Sequence, residues 1–335
     1  MSTTIKKKTS REHKKTMRIP RLPLLIGLVV FIALVVFVFL HVKDERKFLE
    51  LLRNAQPAWL FLVIGFQIAT YACVGATWNI ITRASGYPVA TSQLARLSLE
   101  KLSLDQLIPA VGMSGNLMVY QSMKRLGIPK RVSMEAILVN ILAHYIAYAL
   151  VSVLAMILLC ILHKITPILI TLASLFSLIL IAVPGAILWL VAHKERSLPK
   201  WLLKIKPIIN AQRVIRTVSP QKIYSVKLLS LASFFNLLVF LLDSASLWGT
   251  LHALGVHTNI VPPFIALVMA SIAATLSALP GGIGGFETGA VTMLTVLGIP
   301  MEAALAGTIL LRGFTLWLPL LPGLWFARRD INVKW

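Results

Sequence analysis

The sequence predicts an all-α polytopic membrane protein of about six spanning helices plus two broken, re-entrant hairpins of opposite orientation. Three observations predict it. Hydrophobic residues make up 57% of the 335 and charged ones 13%, where a soluble domain carries about a quarter charged residues; the mean hydropathy is +0.82. Lys and Arg outnumber Asp and Glu by 33 to 12, and the surplus is gathered into a few stretches. Two apolar stretches are also broken by Pro and Gly, which deny a helix its propensity. Irregular backbone survives at membrane depth only where it is buried in protein or lines a wet cavity.

The elements follow in order. Residues 1–21 carry Lys6, Lys7, Lys8, Arg11, Lys14, Lys15, Arg18 and Arg21 and are expected to be a disordered cytoplasmic tail. A single integral membrane domain is expected over 22–327. Its first span, Leu22–Leu40, is long enough to cross; it lacks an Ala-x-Ala ending and runs into Lys43-Asp44-Glu45-Arg46, so it reads as an uncleaved helix. Further spans fall at about 57–81, 132–162, 165–192, 228–254 and 302–327. The basic segment 193–227 carries nine Lys and Arg against Glu195 alone, so it should be cytoplasmic. It also mixes Trp201, Leu202 and Ile205 with its cations, as an amphipathic element on an anionic leaflet would. Residues 328–335 form the other cytoplasmic tail, and the plasma (inner) membrane is the expected location.

Two stretches do not read as plain spans. At 92–119, Arg96, Glu100, Lys101 and Asp105 precede the apolar centre, and Pro109, Gly112 and Gly115 follow. If this were an ordinary span, the basic segment 193–227 would lie outside; a hairpin entering and leaving on the cytoplasmic side restores it. At 262–298 the chain reads Ala278-Leu279-Pro280-Gly281-Gly282-Ile283-Gly284-Gly285-Phe286-Glu287, and here the hairpin must dip in from the opposite face. Paired interrupted segments in two halves point to a polar site between inverted repeats.

Site candidates follow from the cost of polarity in lipid. Helices restarting after Gly285, or after Pro109 and Gly112, would aim positive ends at an anion. Glu287 in such a first turn either serves the site or caps its own helix. Arg312 lies too deep in its span to reach the interface easily, so it needs an interior partner, Glu287 or Asp243. Asn140, His144 and Tyr148 make a polar stripe at i, i+4, i+8, either interhelical glue or ligand contact. The candidate headgroup-binding residues are therefore Pro280, Gly281, Gly282, Gly284, Gly285, Glu287, Arg312, Asp243, Pro109, Gly112, Gly115, Asn140 and His144.

The chemistry expected is binding and passage rather than conversion. No aspartate cluster for a magnesium–pyrophosphate site and no phosphate-binding loop is present. Neither a disulfide framework nor a zinc site can be built from Cys73, Cys160 and the scattered histidines. No catalytic residue, metal or cofactor is expected. The expected partners are membrane lipids, anionic or phosphate-bearing, and not nucleic acid, which would want a soluble basic module. Two alternatives stay open: an integral membrane enzyme acting on a lipid phosphate, and a non-transporting envelope-assembly partner.

The run Pro280–Glu287, with Gly298 and then Arg312-x-x-Thr315-x-Trp317-x-Pro319-x-x-x-Gly323, resembles the flippase-like transmembrane region of lysylphosphatidylglycerol synthases. The resemblance covers about 22–327. Pro109–Gly115 resembles the family's first Pro-Gly turn and then departs, reading Gly115-Asn116 and Tyr120 where members carry Gly-Glu and then Arg. The resemblance implies translocation of a lipid between leaflets. It does not imply aminoacyl transfer, because the synthase domain is not in this sequence.

Overall fold

The computed structural model describes residues 50–51, 53–107, 113–193, 216, 218–277 and 279–317. The expected first span at 22–40, both tails, residues 194–215 and 217 of the basic segment, the 318–327 end of the expected last span, and Pro109 and Gly112 lie outside the described residues.

The described chain is all α. Its helices are α1 (Pro57–Ala84), α2 (Thr91–Leu107), α3 (Met113–Arg125), α4 (Lys130–Ile161), α5 (Pro167–Ala192), the short α6 (Pro220–Ile223), α7 (Val226–Ala253), α8 (Val261–Ser277), α9 (Gly285–Val296) and α10 (Met301–Arg312). A π-turn, Gly313–Trp317, continues α10. Of these, α1, α4, α5 and α7 are long and apolar enough to cross a membrane. Proline opens α1 and α5, where its missing N–H costs nothing. The Ser225 hydroxyl caps α7 by accepting from Leu228 N.

The molecule has two poles. Gln56 N–H donates to Ala253 O at 2.8 Å, so α1 starts where α7 ends. Gln56, Leu254 and Pro300 share one cleft there, which places the α9–α10 junction at the same pole. At the other pole Tyr87, Val89, Arg125 and Ile128 share a cleft. The pair α2–α3 therefore begins and ends at one pole, and the pair α8–α9 begins and ends at the other. Helix, hairpin, helix occurs twice, as α1, α2–α3, α4 and as α7, α8–α9, α10, with opposite polarity.

The two units lean on each other through α1 and α7, the most extensive helix pair. They run antiparallel. Gln67 bonds Ser246 and Thr70 bonds Asp243, and the backbone of Gly249 lies so near Val63 that an added Cβ would sit 2.8 Å from its Cγ2. Small residues allow such close approach where lipid supplies no hydrophobic drive to association. Two large buried cores form, and α4 and α7 contribute to both. Trp78, Leu97, Val119 and Leu142 belong to the first and Leu247, Ile265, Leu294 and Leu311 to the second. Helix α5 stands apart, with only Leu169, Phe176 and Val191 buried.

Glu135 fixes the pole where α4 begins. It is 1% exposed and accepts from Arg131 Nε at 2.9 Å and from the backbone N–H of Ser219 at 2.8 Å, with Lys222 Nζ at 3.7 Å. The chain leaving the basic segment is thus tied to α4 before α7 starts.

Candidate functional site in the glycine-rich turn

The Pro280–Gly285 run makes the tip of the α8–α9 hairpin. Gly282 has φ +64, and a Cβ there would lie 2.5 Å from that of Ala274. Gly284, at φ +86, is the residue from which α9 starts. On α9 itself, a Cβ on Gly285 would lie 2.8 Å from Ser277 Oγ and one on Gly289 3.0 Å from Ala270 Cα. The glycines thus serve two needs, a tight reversal and a close antiparallel seam against Ala270, Ala273, Ala274 and Ser277.

Glu287 and Arg312 meet at this tip. Arg312 Nε donates to Glu287 Oε1 at 2.6 Å, and Arg312 Nη2 donates to the Gly281 carbonyl at 3.0 Å. The guanidinium carbon stands 4.1 Å from the centre of the Phe286 ring, a cation–π contact. Glu287 Oε2 also accepts the backbone N–H of Gly284 at 2.6 Å. Glu287 therefore caps its own helix and holds the arginine at once. The side chains are 7% and 13% exposed. Immediately after Arg312 the helix widens into the π-turn, a feature that recurs at functional sites.

The other candidates are spread. Asp243 does not join this pair: its hydrogen bonds come from Gln67 Nε2 at 3.3 Å and Thr70 Oγ1 at 3.4 Å, across the α1–α7 seam. Of the two partners expected for Arg312, the structure pairs it with Glu287, while α1 offers Asp243 neutral donors at positions i and i+3. His144 Nδ1 lies 3.4 Å from Asn236 Oδ1, and Tyr148 Oη 3.4 Å from Thr275 Oγ1. Both rings pack on Phe240. That is interhelical bonding of α4 to α7 and α8. Asn140 lies one turn before His144 on α4, and Gly115 is buried in α3. Helix α2 touches the 280–282 turn, so the first unit's hairpin reaches the second's tip. Gln67, Thr70 and Glu135 were not singled out from sequence as site or anchor residues; the i, i+3 spacing of Gln67 and Thr70 on an apolar helix was the available signal. Among the described residues no group of His, Cys, Asp and Glu is placed to hold a metal ion.

The family described as "Lysylphosphatidylglycerol synthase TM region" matches residues 24–323 of this chain. A phosphatidylglycerol lysyltransferase of Bacillus subtilis (strain 168) is 30% identical over 93 residues, which are 28% of this chain and 11% of that protein. The matched part is thus a small fraction of the relative's length.

Proposed function

Because the chain belongs to the family of the lysylphosphatidylglycerol synthase transmembrane region, we propose that it carries an anionic or phosphate-bearing lipid headgroup between leaflets, without altering it chemically. The Glu287–Arg312 pair carries this reading. Glu287 lies nine residues from the end of α9 and Arg312 eleven from the start of α10. At 1.5 Å per residue both reach about 15 Å from their pole, the middle of a bilayer core of about 30 Å. The α8–α9 hairpin on this reading is re-entrant, since neither helix is long enough to cross alone. The α2–α3 hairpin enters from the other side and meets its tip.

A headgroup cannot cross hydrocarbon unless something replaces its hydration. Here Arg312 can exchange Glu287 for a lipid phosphate while Phe286 and Gly281 keep its guanidinium in place. Tails remain in lipid alongside. Orientation follows charge. Arg83, Lys124, Arg125, Lys130, Arg131, Lys222 and Lys227 gather at the pole where α4 begins, which makes that pole cytoplasmic. The plasma (inner) membrane is the bilayer this reading assigns.

The test is reconstitution of the full chain in liposomes carrying fluorescent phosphatidylglycerol or phosphatidylcholine. Leaflet exchange favouring the anionic lipid, and lost in Glu287→Gln and Arg312→Ala, is the expected result. Equal exchange in both variants would remove the proposed site, and a headgroup-modified product would make the protein an enzyme.

A further inference from the structure

The α1–α7 seam holds an ionisable group that is not bonded to the Glu287–Arg312 pair. Asp243 sits midway along α7, and both donors that reach it, Gln67 Nε2 and Thr70 Oγ1, end on Oδ1 at 3.3 and 3.4 Å. Gln67 Nε2 is shared with Ser246 Oγ at 2.9 Å, and the Ser246 hydroxyl itself donates to Leu242 O. Tyr71 shares the face of α1 that carries Gln67 and Thr70. Its buried hydroxyl has no hydrogen-bond partner among the described residues. Every group that reaches Asp243 is therefore neutral.

The two buried acids among the described residues differ from Asp243. Glu287 has Arg312, and Glu135 has Arg131 and Lys222. Among the described residues Asp243 has no ion-pair partner. The elements packed on α7 bring few ionisable groups towards it. From α1 comes Tyr71. From α4 come His144 and Tyr148, both held against Phe240. From α10 come Glu302, at the far pole, and Arg312, committed to Glu287. Helix α8 brings none.

An intramembrane carboxyl without a counter-charge marks a proton or ion path by default, and the two donors on Oδ1 leave Oδ2 to carry a proton. A neutral carboxyl also gains an O–H, which a tyrosine hydroxyl can accept. A hard metal cation would want about six oxygen ligands, more than this seam offers. We propose that Asp243, with Gln67, Thr70 and Tyr71, is a reversible proton-binding site. Its occupancy sets the rate of lipid crossing, a second step that rests on the translocation reading above.

The experiment is pH-difference infrared spectroscopy on the full chain in bilayers, paired with leaflet exchange of fluorescent phosphatidylglycerol in liposomes of varied pH. A protonated-carboxyl carbonyl band should grow on acidification, vanish in Asp243→Asn, persist in Asp243→Glu and shift in Gln67→Leu. The exchange rate should change by up to about tenfold per pH unit, the limit for one proton, and lose that dependence in Asp243→Asn. A band that never titrates, one that survives Asp243→Asn, or one that responds to sodium at fixed pH overturns the proton site. Exchange that ignores pH while the band titrates overturns the coupling. If no lipid crosses at all, the translocation reading falls, and the infrared result still decides the proton site.

Discussion

Arg312 Nη2 donates to the carbonyl oxygen of Gly281 at 3.0 Å, so the last described helix grips the backbone of the hairpin tip. A lysine offers a point charge and no planar fork, and it cannot satisfy Glu287 and Gly281 with the same geometry. Arg312→Lys should cost about 1–3 kcal/mol and slow lipid exchange more than it lowers stability. Thermal unfolding in detergent, read beside the liposome assay, checks this.

Removing either charge alone strands the other. Glu287→Gln and Arg312→Ala should each destabilise by about 3–5 kcal/mol, the range for breaking a buried pair. Replacing both, as Glu287→Leu with Arg312→Met, should regain much of that stability. Exchange should stay lost in the double variant. Recovery of exchange there would reduce the pair to a structural strut.

The α8–α9 seam predicts a steep dependence on one atom. Gly282→Ala places a methyl 2.5 Å from Ala274 Cβ at φ +64, so strain and overlap add, for at least about 1–3 kcal/mol. Gly285→Ala should do nearly as much against Ser277. Gly185, inside α5 with nothing within 4 Å, is the control, and Gly185→Ala should stabilise by about 0.5–1 kcal/mol. Unfolding midpoints of the three variants test the order.

Glu135→Gln keeps the size of the side chain but loses the charge that holds Arg131 and Lys222. The start of α7 should loosen by about 1–3 kcal/mol. Trypsin should then cut after Lys222 faster than in the wild type. Equal cutting rates would mean that the segment is held by something other than Glu135.

Accessibility separates hairpins from crossings. In a background lacking Cys73 and Cys160, Tyr87→Cys and Leu126→Cys should be labelled from the same side, and Met301→Cys with His257→Cys from the other. Tyr87, Leu126 and Met301 are all exposed. Label reaching Tyr87→Cys and Leu126→Cys from opposite sides would turn α2–α3 into a through-crossing.

What the sequence disclosed was whatever breaks a rule. Pro280 and the glycines interrupt an apolar run, so the turn and the short α8 and α9 are visible before any coordinates. Arg312 is too costly in lipid to stand alone, which is why a partner could be named and Glu287 was one of two. Facing was not legible. Helices apolar all round, such as α1 and α7, carry no periodicity to say which side meets which neighbour, so the docking of Gln67 and Thr70 on Asp243 was hidden. The seam role of Gly285 and Gly289 was hidden for a similar reason: a missing side chain signals room for something without naming the occupant. Glu135 looked like one more charge near a helix end, because its partners Ser219 and Lys222 lie far along the chain.

Helix α5 buries three side chains along 26 residues, while the glycine face of α9 has almost no room for a single added carbon. The two helices must therefore differ in how tightly their spelling is constrained. Most positions of α5 need only be oily, and exchanges among Leu, Ile, Val and Phe there should pass without effect. The message of this chain is written in its smallest residues, and the greasiest stretch is close to blank paper.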